Sequence, residues 1–180
     1  MSELPEGVEL PSAEVAKPRP SAAAVISRNS GRDMEILLCH RVSEVPSFPD
    51  FWAFPGGGIS RVDREAAEDN PSWFSERDDR ESLIALLREM LEEVGVAPDG
   101  SGGFQNVQVE IIDQVNESKS EWAKLVSEGT LSIDNFNPSL ITQRTTPPVA
   151  PIRHRNRFYH VATRDSSIEP KLPSGLTEFD

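Results

Sequence analysis

The segment that most constrains the fold is a run of apolar residues at helical spacing that ends at a glycine. Its apolar positions recur three and four residues apart, at Leu83, Ile84, Leu86, Leu87, Met90, Leu91 and Val94. This spacing predicts a helix with one side packed against the rest of the chain. Gly95 is expected to end the helix, because glycine adopts the left-handed backbone conformation that follows many helices. Asp78 or Asp79 is expected to cap its start.

Three carboxylates share one face of this predicted helix. Glu89, Glu92 and Glu93 have the i, i+3, i+4 spacing that brings side chains together on a helix. Like charges so close repel and raise one another's pKa. A divalent cation such as Mg²⁺ or Mn²⁺ would relieve that repulsion, because these ions prefer hard oxygen ligands. Arg88 is placed to brace a carboxylate. The alternative is a solvated acidic face, the usual meaning of a charge run.

A glycine-rich loop precedes the helix. Residues 54–58 read Phe-Pro-Gly-Gly-Gly, and the bare backbone of such a loop can approach a phosphate or offer a carbonyl oxygen to a metal. Phe54 is expected to line the core or a pocket, with stacking on a base as the alternative.

A small basic cluster lies near the end of the chain, at Arg153, His154, Arg155 and Arg157. Two interpretations stay open for it. The cluster contacts substrate phosphates, or it belongs to a solvated loop.

Length and charge exclude several classes of protein. The 180 residues suffice for one domain with a core. Eighteen basic and 30 acidic residues give a net charge of −12, which argues against general binding to nucleic acid or to anionic membrane surfaces. Cys39 is the only cysteine, so no internal disulfide or cysteine-cage metal site forms. We expect a reducing, cytoplasmic compartment, with peroxisome and mitochondrion left open.

The remaining patterns predict a mixture of strands and helices. We expect a flexible, Pro-rich arm over residues 1–20 and a charged surface insertion over 59–80, with a short helix around 64–68. Predicted strands cover 22–27, 34–40, 104–115, 140–146 and 157–163, and a second helix covers 117–128. The first two strands are expected to form a hairpin. The order lacks a regular βαβ repeat and therefore predicts an α+β fold with a mixed sheet.

The motif around the predicted helix resembles the Nudix hydrolase superfamily. The Nudix box is written G-x5-E-x7-R-E-U-x-E-E-x-G-U, where U is a bulky aliphatic residue. Its second half is matched in full by Arg88, Glu89, Met90, Glu92, Glu93, Gly95 and Val96. Residues 54–57, Phe-Pro-Gly-Gly, are the usual lead-in. The resemblance implies a Nudix-type α/β/α sandwich with a mixed sheet, over residues 21–180.

The first half of the box departs from this pattern. Gly58 lies 30 residues before Arg88, where the box requires 14, so we place a 16-residue insertion between them. Arg80 stands eight residues before Arg88, where the first glutamate is expected, and Glu81 is one residue away. At the other end of the chain, the family's final helix is either divergent or shortened here.

The resemblance implies hydrolysis of a nucleoside diphosphate derivative with Mg²⁺ or Mn²⁺. By this resemblance, Glu92 and Glu93 are the principal metal ligands, and Glu89 is a further ligand or the general base. Arg88 is the residue that orients these carboxylates. The Gly57 or Gly58 carbonyl would complete the metal shell. The implied substrate-binding residues are Arg41, Phe54, Gly56, Gly57 and Gly58. The family's late glutamate is sought at Glu169 or Glu178. Glu81 is a candidate to stand in for the first box glutamate.

The insertion narrows the resemblance to the coenzyme A diphosphatase-like branch. Residues 37–41, Leu-Leu-x-x-Arg, precede Phe54 at a spacing similar to that branch's motif, although Pro46 and Asp50 stand where the motif has Arg and Gly. The expected partner is thus a small nucleotide substrate, coenzyme A or acyl-coenzyme A, and neither nucleic acid nor a membrane. Whether the chain forms a homodimer is left open.

Three alternatives are kept. The chain is a diphosphatase for ADP-ribose or NADH, or a nucleotide-binding Nudix module with impaired catalysis, or a structural domain whose acidic insertion docks a partner.

Overall fold

Nine strands and four helices make up the part of the chain that the computed structural model describes, which is residues 15–30, 32–43, 50–150, 152–163 and 169–170. The strands are β1 (Arg19–Ser30), β2 (Asp33–Ile36), β3 (Cys39–His40), β4 (Trp52–Ala53), β5 (Gly56–Gly58), β6 (Val96–Pro98), β7 (Phe104–Asn106), β8 (Ser139–Thr145) and β9 (His154–Thr163). The helices are α1 (Arg61–Asp69), α2 (Arg80–Val94), α3 (Val109–Glu117) and α4 (Glu121–Ser127).

The main sheet is organised around β1. This strand pairs in parallel with β9 along most of its length and antiparallel with β2 and β5 on its other side. The antiparallel β8 continues the sheet beyond β9. The predicted β1–β2 hairpin and the α+β class with a mixed sheet are therefore confirmed.

Small side chains on β1 bring α2 close to the sheet. Ala22 and Ala24 are fully buried, and α2 packs on β1 and β5. Helix α2 is the central predicted helix, and its C-terminal glycine, Gly95, has φ 64°, as expected for a left-handed cap. Asp79 is the N-terminal cap residue, but its side chain makes no capping hydrogen bond. It accepts hydrogen bonds from Arg77 and Tyr159 instead, so Asp79 stands at the predicted cap position but without a side-chain capping bond.

The predicted strand over 104–115 is wrong. Only β7 is extended there, and α3 follows from Val109 to Glu117. The segment is rich in Val and Ile, which favour strands. However, Ile112 and Val115 lie three residues apart on one helix face and both are buried, so packing overrides intrinsic preference. Because α3 ends at Glu117, the next helix begins at Glu121 rather than at 117.

The charged insertion is not confined to the surface. Its helix α1 buries Asp63, Ala66 and Ala67, and packs on α2. The Asp63 carboxylate accepts hydrogen bonds from the Ser60 N–H and hydroxyl, both at 2.7 Å, which fixes the start of α1. The prediction of a surface insertion is therefore wrong for this helix.

Arg80, the first residue of α2, binds the inserted segment through hydrogen bonds. Its guanidinium donates to the carbonyl oxygen of Trp73 at 2.6 Å and to the carbonyl oxygens of Ala67 and Asn70. The residue at the expected place of the first box glutamate thus ties the inserted segment together.

Both predicted chain ends fall partly outside the described residues. Strand β1 begins at Arg19, so the arm predicted over 1–20 overlaps it by two residues, and residues 1–14 lie outside the description. The expectation about the C-terminal element concerns residues 171–180, which also lie outside it. Among the residues that are described, no helix has the length and apolarity to cross a membrane.

Candidate active site

The guanidinium of Arg88 is the centre of the site. Arg88 is fully buried and donates to both oxygens of Asp63, at 2.8 and 3.0 Å. Its other donors contact Glu92 Oε2 at 2.8 Å and the Gly58 carbonyl oxygen at 3.2 Å, and its Nη2 lies 2.8 Å from Glu89 Oε1. One cation therefore holds α1, α2 and β5 together.

The carboxylates of α2 face the glycine strand. The Gly56 N–H donates to Glu93 Oε2 at 2.7 Å. A side chain at Gly57 would overlap the Glu89 carboxylate, so the absence of a Cβ is what lets that carboxylate reach the strand. Glu89, Glu92, Glu93, Arg88 and residues 56–58 are thus brought together in one place.

Burial rules out a solvated acidic face. Glu89 and Glu92 expose only 7% and 6% of their surface. Burial raises the pKa of Glu93 to about 8, helped by the charge of Glu89 and opposed by the Gly56 N–H and Arg41. Burial likewise raises the pKa of Glu89, although the charge of Arg88 acts in the opposite direction. The helix holds its carboxylates at an electrostatic cost.

One oxygen of this group is left without a partner. Glu92 Oε1 is buried and accepts no hydrogen bond. Among the described residues, no three His, Cys, Asp or Glu side chains form a ready-made metal site. Arg88 contacts both Glu89 and Glu92. The donor set nevertheless fits Mg²⁺ or Mn²⁺, since it offers buried carboxylate oxygens, one of them unsatisfied.

Asp63 is the main residue that the sequence analysis missed. Counting forward from Gly57, Asp63 is the sixth residue, so the chain has an acidic residue at the G-x5-E position of the box. The extra length lies between Asp63 and Arg88, where 24 residues replace seven. Counting back from Arg88 across the insertion led instead to Arg80 and Glu81.

The comparisons with known proteins agree with this geometry. The profile of the NUDIX domain matches residues 17–124, which is more than half of the chain. The chain belongs to the Nudix family. Together with the similarity to Nudix hydrolase structures, this makes it a hydrolase that acts on pyrophosphate bonds.

The solved structures of Nudix proteins include one close match in fold. A Nudix hydrolase from Alicyclobacillus acidocaldarius is 26% identical, with a TM-score of 0.75 over 92% of this chain and 79% of that chain. A MutT protein from Methanosarcina mazei Go1 is 15% identical, with a TM-score of 0.49 over 93% of this chain and 78% of that one. The comparison with curated proteins gave no match. These similarities do not single out the coenzyme A diphosphatase-like branch.

The other predicted Nudix site residues are more dispersed. Arg41 lies near enough to Glu93 for its charge to lower the pKa of that carboxyl. Phe54 packs its ring edge-on to Phe158, with 6.1 Å between centroids. Glu81 is exposed at the start of α2, 3.5 Å from Arg64, and is not brought to the three carboxylates.

The late glutamate of the family is expected at Glu169 or Glu178. Glu169 is exposed, and Glu178 lies outside the described residues. The sequence analysis also missed Lys119, whose ammonium is 3.6 Å from Glu92 Oε2. No motif singled out this lysine, because it belongs to the turn between α3 and α4.

Proposed function

We propose that this chain hydrolyses the diphosphate bond of a nucleoside diphosphate derivative with the help of Mg²⁺ or Mn²⁺. The observation that carries the proposal is the group of buried carboxylates that faces the glycine strand, with Glu92 Oε1 unsatisfied. Three carboxylates share one buried guanidinium there, so negative charge is in excess, which is costly and which a structural helix does not need. A cation bound there would repay that cost.

The proposed ligands are the carboxylates of Glu89, Glu92 and Glu93, with the Gly57 carbonyl oxygen. A bound divalent cation lowers the pKa of water and neutralises phosphate oxygens. Arg88 positions the carboxylates beside the glycine strand β5, and Asp63 holds the Arg88 guanidinium in place. Glu89, already held at a raised pKa by burial, is the proposed acceptor for the proton of the attacking water.

Coenzyme A and acyl-coenzyme A are the proposed substrates, with ADP-ribose and NADH as the alternative class. The support for coenzyme A is the Leu-Leu-x-x-Arg motif, whose Arg41 lies close to Glu93. The alternative of impaired catalysis depends in part on the missing first box glutamate. Asp63 supplies a carboxylate at that position and contacts Arg88, so that reason no longer applies.

The decisive experiment is a hydrolysis screen with Mg²⁺ and with Mn²⁺. It covers coenzyme A, acyl-coenzyme A, ADP-ribose, NADH and dinucleoside polyphosphates. Glu92→Gln and Glu93→Gln should each abolish turnover of the best substrate. Glu81→Gln is the matched control, because it removes an exposed carboxylate from the start of the same helix. Unchanged turnover in both site variants would refute the proposal.

Metal binding is measured separately by thermal unfolding. A ligand present at 100 times its dissociation constant should stabilise the fold by about 2.7 kcal/mol. We expect Mg²⁺ with nucleotide to raise the melting temperature of the unmodified chain, and Glu92→Gln to lose most of that increase.

A further inference from the structure

The basic cluster near the end of the chain is divided between two faces of the sheet. Arg157 donates to Ser82 Oγ on α2, so alternate residues of β9 point toward that helix. Phe158 points the other way, toward Phe54. His154, an even number of residues from Phe158, therefore lies on the face away from α2, and Arg155 lies on the same face as Arg157.

Two arginines and a histidine lie on the face away from α2. Arg19 is the register partner of His154, and Arg144 is the register partner of Asn156, which follows His154 by two residues. We call Arg19, Arg144 and His154 the outer cluster. The pKa of His154 is lowered, first by burial and then by the charges of Arg19 and Arg41.

The two arginines of the outer cluster lack counter-charges in the described part of the chain. Neither Arg19 nor Arg144 forms an ion pair with a described carboxylate. In a chain with a net charge of −12, two nearby arginines without acidic partners among the described residues are unexpected. Like charges placed together favour binding of an anion.

Two buried polar atoms lie beside the outer cluster without partners. Ser21 is 4% exposed, and its hydroxyl makes no hydrogen bond. Asn156 Oδ1 is also buried and unsatisfied. Ser21 and Asn156 are register partners, one side-chain position along their strands from Arg19 and His154 and on the same face. Buried polar atoms are nearly always satisfied, so this pair indicates a missing ligand or water.

The outer cluster is too far from the carboxylates to bind the phosphates that they would hold. Glu93 contacts Gly56, whose register partner is Ala23. Arg19 lies four residues before Ala23, which is about 13 Å along a strand. The two phosphates of the cleaved bond share one oxygen and do not span that distance. Arg41 lies near enough to both Glu93 and His154 for its charge to lower the pKa of each.

We propose that the outer cluster binds a phosphomonoester on the ribose of the substrate. The inference rests on the proposed function and names its substrate class: a nucleoside diphosphate derivative with a third phosphate, away from the bond that is cleaved. A longer polyphosphate chain fits less well, because phosphate oxygens only accept hydrogen bonds. Asn156 Oδ1 needs a donor, which a ribose hydroxyl or a base amine supplies.

Calorimetric binding tests the proposal without hydrolysis. The probes are adenosine 3′,5′-bisphosphate, adenosine 2′,5′-bisphosphate and AMP, which differ in the ribose phosphate, and ATP, which carries a polyphosphate instead. We expect at least one bisphosphate to bind about tenfold more tightly than AMP, as for a charge-assisted contact, and more tightly than ATP. Arg19→Gln and Arg144→Gln should each remove most of that preference. Both side chains are exposed, so the variants should fold.

Arg155→Gln is the matched control, since Arg155 is exposed and lies on the opposite face. Equal affinity for AMP and both bisphosphates would overturn the inference, as would a preference that survives both variants or tighter binding of ATP. These outcomes differ from failure of the proposed function. A chain that prefers a bisphosphate but hydrolyses nothing loses only the proposed function, and a chain that hydrolyses without this preference loses only the inference.

Discussion

Asp63 offers the sharpest test of how the inserted helix supports the site. Replacing it with asparagine removes the negative charge that both Arg88 contacts need, while keeping the shape of the side chain. Asp63 and Arg88 are each 0% exposed, and their two contacts measure 2.8 and 3.0 Å. Breaking a buried ion pair of this kind costs about 3–5 kcal/mol, because the remaining charge stays buried without compensation.

The expected change is large compared with the total stability of a domain. Typical unfolding free energies are about 5–15 kcal/mol. For a domain of this size, each kcal/mol lowers the melting temperature by about 2–4 °C. Asp63→Asn should therefore lower it by roughly 6–20 °C. Urea unfolding measures the same loss as a shift in the midpoint with an unchanged slope.

A matched control separates this pair from a general effect of losing an acid. Asp69→Asn changes an exposed aspartate at the end of the same helix and should alter stability by less than about 0.5 kcal/mol. We also expect Asp63→Asn to lower kcat, since Arg88 positions Glu89 and Glu92. If Asp63→Asn costs less than about 1 kcal/mol, the argument that Asp63 anchors Arg88 is wrong.

Three further predictions concern the glycine strand and the C-terminal end of the insertion. Gly57→Ala should displace the Glu89 carboxylate and sharply reduce turnover. At Gly58 an added Cβ meets no atom nearer than 4.0 Å, so Gly58→Ala should reduce turnover far less. Metal-dependent hydrolysis kinetics of the two variants test this difference. Arg80→Ala should cost about 2–4 kcal/mol and speed proteolysis of the insertion, because three carbonyl oxygens lose their donor. The pKa of Asp79 is lowered, mainly by a neighbouring guanidinium. The Asp79 carboxylate therefore stabilises the fold above about pH 4, and this contribution is lost as the pH falls further. In urea unfolding, the unfolding free energies of Asp79→Asn and of the unmodified chain should therefore become equal in acid.

The sequence predicted the elements whose pattern agrees with their packing. Helix α2 has apolar residues at helical spacing and a glycine at its end, and both features are realised. The central strands of the main sheet, β1 and β9, were likewise predicted from their sequence pattern. The segment that became α3 could not be predicted, because its β-branched residues favour a strand while the burial of Ile112 depends on α2.

The site was predictable where its residues are adjacent in sequence. Glu89, Glu92, Glu93 and Arg88 come from two turns of one helix, so their common position follows from helical geometry. Asp63 reaches Arg88 across 24 intervening residues, and only the folded insertion brings them together. Counting forward from Gly57 reaches Asp63, but its charge alone gives no sign that it is buried beside Arg88.

The last turn of α2 has a consequence for how strongly the site attracts a cation. A helix carries a partial negative charge at its C-terminus, and basic side chains usually offset it there. The last turn of α2 contains no basic residue, and Glu92 and Glu93 lie within it. The peptide dipoles and the side chains therefore contribute negative potential to the same point. A lysine substituted into this turn would make the metal-free protein more stable, while taking away part of the field that draws Mg²⁺ in.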